Sequence, residues 1–453
     1  MSGRLFGTDG VRGLANGLLT AELATNLGVA AAQVLGERGE FSSHKSDRPF
    51  AIVGRDPRAS GEFLQSAISA GLASAGVDVI DVGILPTPAV AFLTDLTGAD
   101  LGVMLSASHN AMPDNGIKFF ARGGVKLDDT IEDAIEAHLD VVSELPTGSG
   151  VGRIRSEHDL VEKYLHHLNS SISNSLEGLT VVVDGANGSA SLVGPEALRR
   201  AGAQVISIHC EPDGLNINEN CGSTHMDDLF AAVVKHGADL GIAHDGDADR
   251  CLAVDADGNF VDGDQILAIL ASGRKSRGAL VGNTVVATVM SNLGFNIAMK
   301  ELEIEVIAAA VGDRYVLEEM RTGGFTIGGE QSGHVVLSEF ATTGDGVLTA
   351  LHLMSEMKAT GKSMAELAAI VNRLPQVLIN VPNVDKGAIS KSEVSKAVAK
   401  LEQELGSTGR ILLRPSGTEP LIRVMVEAAT ADQAASVAKE LADVVATHCA
   451  LSQ

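Results

Sequence analysis

The feature that most constrains the fold of this chain is a repeat within it. The five residues at 98–102, Gly-Ala-Asp-Leu-Gly, recur letter for letter at 237–241. Ahead of each copy lie an apolar strand that ends in a polar turn, a helical stretch, and an Ala-Gly that opens the next strand, as at 75–80 and 201–206. Matches in the same order indicate a duplicated unit. Because strands alternate with helices in that unit, it predicts a largely parallel sheet.

The rest of the chain extends this pattern and then departs from it. A weaker third copy has strands expected at 284–290, 305–310 and 325–330. After about residue 373 the order becomes strand, helix, two strands and helix, which is typical of a smaller α+β unit. The predicted fold class is α/β, with three related mixed α/β domains plus a smaller C-terminal α+β domain. The expected domain boundaries are 1–158, 159–262, 263–373 and 374–453. The hydrophilic stretches expected as loops or linkers are 36–48, 145–156 and 384–391.

Composition excludes several classes of protein. The 453 residues are 45% hydrophobic and 20% charged, which is typical of a folded chain rather than a disordered one. We find neither an apolar run of about 18 residues nor the apolar core of a secretory signal, so no membrane partner is expected. Four scattered cysteines form no disulfide framework, which favours a cytoplasmic protein. The net charge of −24 is unfavourable for binding nucleic acid.

Polar loops follow the third strand of each related unit. They cover Ser106 to Asn110, His244 to Arg250, and Gly328 to His334. In open α/β sheets, ligands bind beyond the carboxyl ends of the strands. We therefore expect these three loops to share one cleft.

The second of these loops carries aspartates at three alternate positions, Asp245, Asp247 and Asp249. In an extended loop, alternation would aim the three carboxylates the same way, which suits a hard divalent cation. The alternative is a solvated acidic turn, although a preceding strand and the adjacent Arg250 favour the metal. A calcium EF-hand is excluded, because Arg250 and Ala256 stand where its glycine and closing glutamate would be.

The first loop carries a serine beside a histidine, Ser108 and His109. The alternative to a functional serine is an ordinary capping residue. No G-x-S-x-G elbow surrounds Ser108, so a hydrolase nucleophile is not indicated. A serine that faces a metal is suited to carrying a phosphoryl group, since the cation neutralises charge as the group moves.

A further polar loop lies between two expected strands of the last unit. It covers Arg414 to Pro420, with Arg423 beyond it. Arginine forks, hydroxyls and a glycine can together bind a phosphate, whereas the alternative is a polar turn. Neither a Walker motif nor a G-x-G-x-x-G motif is present, so nucleotide phosphates are not the indicated ligand.

Taken in order, these loops resemble those of the α-D-phosphohexomutase superfamily, over nearly the whole chain from Phe6 to Arg423. The segments 6–10, 217–223 and 328–334 are most similar to the phosphoglucosamine mutase subgroup. One departure is Ala111, because the family usually has proline after the asparagine of the serine loop. The resemblance implies four domains around a central cleft.

The same resemblance implies interconversion of glucosamine 6-phosphate and glucosamine 1-phosphate, which feeds UDP-N-acetylglucosamine and cell-wall synthesis. Phosphoserine at Ser108 would transfer its phosphoryl group to give a bound glucosamine 1,6-bisphosphate, whose other phosphate then returns to Ser108. The implied metal is one Mg²⁺ per chain, bound by the Ser108 phosphate, Asp245, Asp247 and Asp249. The chain would be a monomer or a homodimer in the cytoplasm.

The remaining roles carried over by resemblance fall into three groups. The residues expected around the reacting phosphate are Arg12, His109, Lys118 and Arg250, with either Lys118 or His334 as general acid/base. For His334, a histidine satisfied by hydrogen bonds in a packed loop is an equally open interpretation. The residues expected to bind the sugar hydroxyls are Glu330 and Ser332. The residues expected to bind the phosphate that is not reacting are Arg414, Ser416, Gly417, Thr418 and Arg423.

Three alternatives stay open at this point. The first is another mutase of the superfamily, acting on mannose or glucose phosphates. The second is a non-catalytic sugar-phosphate-binding protein, which would be expected to lack Ser108 or one of the aspartates, whereas all are present. The third is a metal-dependent phosphatase, which would use an activated water instead of a carrier serine.

Overall fold

The computed structural model describes residues 4–7, 9–41, 48–139, 141, 144–416 and 421–451. Contacts within the chain define two compact units. The first unit comprises Met1–Met290 and Ile304–Ile370, and the second comprises Ser291–Glu303 and Val371–Gln453. Among the described residues, no helix is long and apolar enough to cross a membrane.

The first sheet of the larger unit contains seven strands, in the order β1-β5-β4-β2-β3-β7, with β6 paired to β5. Its central strands are buried on both faces, as the pattern of β4 shows, and this is typical of a parallel sheet covered by helices. The elements are β1 (Val11–Leu14), α1 (Ala21–Glu37), β2 (Phe50–Arg55), α2 (Ala59–Ser74), β3 (Asp78–Ile84), α3 (Thr87–Thr97), β4 (Leu101–Leu105), β5 (Asp114–Ala121), β6 (Val125–Lys126), α4 (Asp129–His138) and β7 (Ile154–Ser156).

The second sheet contains five strands, in the order β12-β11-β10-β8-β9. The strands β11 and β12 form a hairpin whose turn contains Asp257 and Gly258, and Gly258 adopts the positive φ of +84° that such a turn needs. The elements are α5 (Val161–Ser170), β8 (Thr180–Asp184), α6 (Ala190–Arg200), β9 (Gln204–Ile208), α7 (Asp227–His236), β10 (Leu240–Ala243), β11 (Leu252–Asp255) and β12 (Phe260–Val261).

The third sheet contains four strands, in the order β14-β13-β15-β16. The helix that precedes its first strand in the chain begins with a capping box, in which Asp262 and Gln265 satisfy each other's backbone N–H groups. The elements are α8 (Gly263–Ser276), β13 (Thr284–Thr288), α9 (Leu293–Glu301), β14 (Glu305–Ala309), α10 (Asp313–Gly323), β15 (Ile327–Gly329), β16 (Val335–Leu337), α11 (Gly346–Thr360) and α12 (Met364–Ala368). By its contacts α9 belongs to the second unit.

The three sheets share one core of four strands, which confirms three related α/β domains. In each sheet, three neighbouring strands are parallel and the fourth pairs antiparallel at one end. The strand orders are β3-β2-β4-β5, β9-β8-β10-β11 and β14-β13-β15-β16. The third copy, which has the weakest sequence signal, has the same arrangement of strands as the other two.

The repeated pentapeptide has the same structure in both copies. Gly98 and Gly237 end α3 and α7 in the left-handed conformation, with φ of +71° and +61°. Two residues later, a carboxylate accepts a hydrogen bond from the first backbone N–H of the neighbouring strand. The Phe50 N to Asp100 Oδ2 distance is 3.1 Å, and the Thr180 N to Asp239 Oδ2 distance is 2.7 Å.

The second unit contains a three-stranded antiparallel sheet in the order β17-β19-β18, packed against two helices. Its core includes Val424, Val426 and Leu441, all fully buried. This confirms the smaller α+β unit. The elements, besides α9, are β17 (Gln376–Pro382), α13 (Ser392–Leu405), β18 (Arg410–Pro415), β19 (Leu421–Glu427) and α14 (Ala431–His448).

One stretch expected as a linker is partly a strand. The segment 145–156 contains β7, which pairs in parallel with β3 from Val79 to Asp81. All three residues of β7 are exposed, so its sequence lacks the apolar pattern of a buried strand. Of the stretch 36–48, residues 42–47 lie outside the described part, and α1 continues to Glu37. The stretch 384–391 contains a 3₁₀ turn at Lys386–Ser390.

Candidate active site

The serine loop presents the Ser108 side chain to the aspartate loop of the next domain. Ser108 is 1% exposed and adopts a left-handed φ of +52°. Its Oγ donates a hydrogen bond to Asp245 Oδ2 at 2.5 Å and lies 3.3 Å from His109 Nδ1. The structure therefore brings together two loops that are 137 residues apart in sequence.

The aspartate loop is a tight turn, so the expectation of an extended loop was wrong. The Ala248 N–H donates to Asp245 O at 3.0 Å, and Ala248 has a φ of +58°. The carboxylates of Asp245, Asp247 and Asp249 still converge, with one oxygen of each within 4.8 Å of the others. The turn, rather than strand-like alternation, produces this convergence.

The donor set fits a divalent cation. Among the residues that the structure describes, Asp247 Oδ1 and Asp249 Oδ1 are buried without a hydrogen-bond partner. A buried oxygen without a partner is costly, and a hard cation would coordinate both oxygens. The three carboxylates can therefore bind a metal of the Mg²⁺ class, which prefers oxygen ligands.

The electrostatics of this loop point the same way. Burial, together with the charges of Asp249 and Asp247, raises the pKa of Asp245 well above its ordinary value. Burial acts in the same direction on Asp249, but a hydrogen bond with His334 and the charge of that ring hold the pKa of Asp249 below its ordinary value. Without a cation, the carboxylates of this cluster cannot all carry charge at equal cost.

Cationic side chains surround the aspartates. Lys118, on β5, places its Nζ 2.7 Å from Asp247 Oδ2 and 2.8 Å from Asp9 Oδ2. Arg12, on β1, also pairs with Asp9. Burial alone would lower the pKa of Lys118, but the charges of Asp247 and Asp9 raise it above the ordinary value, so that Lys118 keeps its proton. Arg250 Nε lies 3.9 Å from Asp245 and 3.7 Å from Asp249.

The third polar loop adds a glutamate, a serine and a histidine. Glu330 accepts a hydrogen bond from Gly312 N at 3.1 Å and lies 3.3 Å from the Ser332 hydroxyl, which donates to it. His334 Nδ1 lies 3.5 Å from Asp249 Oδ2.

Two opposing influences act on the His334 ring. Burial favours the neutral ring, but Asp249 and Asp313 raise the pKa of His334 to about 9. The Gly344 N–H donates to Nε2 at 3.1 Å, a contact that suits the unprotonated nitrogen. Asp313 Oδ2 lies 3.7 Å from the same nitrogen. This balance suits a group that exchanges a proton.

A row of ion pairs that joins the first and third domains was not predicted from the sequence. Lys126 contacts Asp9 at 2.7 Å and also contacts Asp313, while Asp9 and Asp313 face Lys118 and His334, respectively. Asp9 lies within the segment 6–10 used for the resemblance, which was its only signal. A cavity of about 370 Å³ lies next to these ion pairs. Its lining includes Arg12, His109, Asp249, Arg250, Glu330 and His334.

In the second unit, Arg414 and Arg423 lie directly opposite one another on β18 and β19. Burial and the charge of Arg423 lower the pKa of Arg414. Arg423 Nε is buried and has no hydrogen-bond partner within the described ranges. Facing like charges are unfavourable, and an anion between them would remove that cost. Ser416 is buried, whereas Gly417 and Thr418 lie outside the described residues.

Comparison with known families places the whole chain in one superfamily. Four family profiles match: Phosphoglucomutase/phosphomannomutase alpha/beta/alpha domain I at residues 3–145, domain II at 162–258, domain III at 262–374, and the C-terminal domain at 378–444. A phosphoglucosamine mutase of Streptomyces avermitilis is 63% identical over 98% of this chain and 99% of its own length. The chain belongs to the phosphoglucosamine mutase family. It is therefore an enzyme of the phosphomutase class.

Solved structures support the fold. A phosphoglucomutase/phosphomannomutase family protein from Burkholderia thailandensis matches with a TM-score of 0.81 at 24% identity, covering 99% of this chain and 98% of that one. An N-acetylphosphoglucosamine mutase from Aspergillus fumigatus, solved in complex with GlcNAc-6P and magnesium, matches with a TM-score of 0.65 at 19% identity. That match covers 80% of this chain and 92% of the other. At these identities the likeness extends to the fold alone.

Proposed function

We propose that this enzyme interconverts glucosamine 6-phosphate and glucosamine 1-phosphate through a phosphoserine at Ser108 and a bound glucosamine 1,6-bisphosphate. The observation that carries the proposal is the 2.5 Å contact between Ser108 Oγ and Asp245, in a chain 63% identical to a phosphoglucosamine mutase. A phosphoryl group on that oxygen would lie among carboxylates and cations, as transfer requires. The product would supply UDP-N-acetylglucosamine and cell-wall synthesis in the cytoplasm.

The proposed reaction consists of two phosphoryl transfers. In the first, the bond between phosphorus and Ser108 Oγ breaks while a sugar hydroxyl oxygen bonds to the phosphorus. The hydroxyl proton passes to a base, and the released Ser108 Oγ takes up a proton. In the second, Ser108 Oγ loses that proton and bonds to the phosphorus at the other end of the bisphosphate, and the released sugar oxygen takes up a proton. His334 is our preferred acid/base, because Lys118 Nζ is enclosed between two carboxylates at 2.7 and 2.8 Å.

We propose one Mg²⁺ per chain, bound by Asp245, Asp247, Asp249 and the Ser108 phosphate. The partnerless buried oxygens Asp247 Oδ1 and Asp249 Oδ1 support this ligand set. When bound, the ion supplies positive charge at the phosphoryl oxygens. Arg12, Lys118 and Arg250 add positive charge from the protein, and His109 lies beside Ser108 Oγ.

The sugar and its second phosphate would be bound elsewhere in the chain. Glu330 and Ser332, which already share a hydrogen bond, can bind hydroxyls that are similar in both orientations of the sugar. In the second unit, the proposed phosphate ligands are Arg414, Ser416, Gly417, Thr418 and Arg423. The facing arginines and the partnerless Arg423 Nε support that assignment.

Intact-mass measurement and a mutase assay test the proposal together. We expect part of the purified protein to carry one phosphoryl group, mapped to Ser108 by peptide analysis. Ser108→Ala should remove the group and abolish turnover of glucosamine 6-phosphate, with an unchanged melting temperature. Rates on glucose and mannose phosphates distinguish the other mutases of the superfamily. Full activity of Ser108→Ala would contradict the proposal.

A further inference from the structure

One buried arginine, Arg58, holds the serine loop by hydrogen bonds to its backbone. Arg58, at the start of α2, is 0% exposed. Its Nη2 donates to Ser108 O at 3.0 Å and to Asn110 O at 2.8 Å, while its Nη1 donates to Ala111 O at 2.7 Å. Its Nε donates to Asp56 Oδ2 at 2.9 Å, which balances the buried charge. The guanidinium therefore binds three backbone carbonyl groups within the four residues 108–111.

An asparagine from domain II holds two of the same carbonyl groups. Asn218 Nδ2 donates to Ser108 O at 2.8 Å and to Asn110 O at 2.9 Å. Asn218 is 9% exposed and adopts a φ of +58°, a conformation that asparagine takes more readily than most residues. The serine loop of domain I is thus held by hydrogen bonds from the domain that carries the aspartate loop.

The backbone N–H of Ser108 is fixed as well. It donates to Ser106 Oγ at 3.0 Å, and the Ser106 hydroxyl donates to Asp56 Oδ2 at 2.5 Å. Asp56 is the carboxylate that pairs with Arg58. Both the N–H and the C=O of Ser108 are therefore engaged, and these contacts together maintain its left-handed φ of +52°.

We propose that Arg58 and Asn218 are positioning residues that hold Ser108 in this conformation and so aim its Oγ at Asp245. The inference rests on the proposed transfer through Ser108. Neither side chain lines the cavity next to the aspartates. Their contacts with the serine loop all go to main-chain carbonyl groups. Arg58 also secures the loop at Ala111, where the chain has no proline ring to restrict it.

Asn218→Gly is the sharpest test, because glycine accepts the positive φ and only the side-chain amide is lost. We expect kcat to fall about 10- to 100-fold, since small misplacements of reacting groups have effects of this size. The KM for glucosamine 6-phosphate should stay within about twofold, because no substrate contact is removed. The ³¹P resonance of the Ser108 phosphate should shift.

Asn216→Ala is the matched control. Asn216 lies in the same loop, but its amide donates to Glu211 O at 3.0 Å and not to the serine loop. We expect wild-type kcat and an unshifted ³¹P resonance. A purely structural role for Asn218 would lower the melting temperature and leave kcat per folded molecule unchanged, which would overturn the proposal. A rise in KM alone would also overturn it, because it would place Asn218 on the substrate.

Arg58→Lys gives a second measurement. Lysine keeps the charge opposite Asp56 but cannot reproduce the fork, so kcat should fall with little change in KM. Wild-type kcat in both Arg58→Lys and Asn218→Gly would overturn the proposal, and if Arg58→Lys does not fold, Asn218→Gly decides it. The wild-type protein separates the two hypotheses: a missing phosphoserine would contradict the proposed function, whereas a phosphorylated wild type with an equally active Asn218→Gly contradicts only the positioning role.

Discussion

In the first two sheets, the amino ends of the strands carry identical residues in both copies of the repeat, whereas the carboxyl ends carry different ones. At the amino ends of the strands, Asp100 and Asp239 stand in identical pentapeptides and make the same hydrogen bond to a neighbouring strand. At the carboxyl ends, the corresponding loops have no such identity, because one carries Ser108 and the other carries three aspartates. In this repeat the identical residues stabilise the sheets, whereas the loops that differ carry the residues of the proposed site.

Asp247→Asn should have the largest effect, because it changes a carboxylate at the carboxyl end. The substitution keeps the size of the side chain but removes the charge that faces Lys118 and the proposed Mg²⁺. We expect kcat to fall about 1000-fold and magnesium affinity, measured by calorimetry, to weaken. Asp239→Asn is the control at the amino end and should bind magnesium like the wild type. Near-normal turnover of Asp247→Asn would show that this carboxylate is not needed for the reaction, and the proposed metal site would be wrong.

Arg423→Ala tests the loop of the second unit, with a smaller effect. Losing a charge-assisted hydrogen bond to phosphate should raise the KM for glucosamine 6-phosphate roughly 10- to 100-fold. Magnesium affinity should not change, because Arg423 is not a proposed metal ligand. Lys400→Ala is the matched control, since Lys400 pairs with Glu440 at the surface of the same unit. An unchanged KM in Arg423→Ala would show that Arg423 does not bind the phosphate.

The sequence allowed the architecture to be predicted more fully than the contacts between distant residues. The strand expected at 284–290 is observed at Thr284–Thr288, because a run of apolar residues is a local signal. The meeting of Ser108 with the aspartates also followed from a rule about strand ends. By contrast, the Lys126–Asp313 pair joins residues 187 positions apart, and no local sequence pattern around either residue predicts this contact. The contacts of Arg58 could not be predicted for the same reason, because the sequence around a buried arginine does not distinguish it from an exposed one.

Asp345 shows how a buried carboxylate outside the aspartate loop should respond to pH. It begins α11 and accepts hydrogen bonds from Leu348 N at 2.9 Å and from the Tyr164 hydroxyl at 2.7 Å. Burial raises the pKa of Asp345 from 3.8 to about 6. Because the folded state then binds more protons than the unfolded state, this group stabilises the fold most below pH 4, and the contribution is lost as pH rises through about 6.

Asp345→Asn should therefore flatten the pH dependence of the free energy of unfolding. We expect the difference between pH 4 and pH 7 to change by about 2 kcal/mol relative to the wild type. Denaturant titrations at the two pH values measure it. Asparagine still accepts hydrogen bonds at a helix start, so the protein should fold. Identical pH dependence in the variant and the wild type would show that Asp345 titrates alike in both states.

Asp100→Ala and Asp239→Ala should have the smallest effects and bear most directly on the difference between the two ends of the sheets. Each variant loses a hydrogen bond to the first N–H of a strand, at Phe50 or Thr180, which should lower the free energy of unfolding by about 1 kcal/mol. The loss should be greater for Asp100, which is 1% exposed, than for the half-buried Asp239. In both variants kcat per folded molecule, phosphorylation of Ser108 and magnesium affinity should match the wild type, because these aspartates lie at the opposite end of the strands from the reacting groups. If either variant instead lost activity to the extent expected for Asp247→Asn, the amino ends would not be purely structural, and identity within the repeat could no longer be read as a mark of the fold alone.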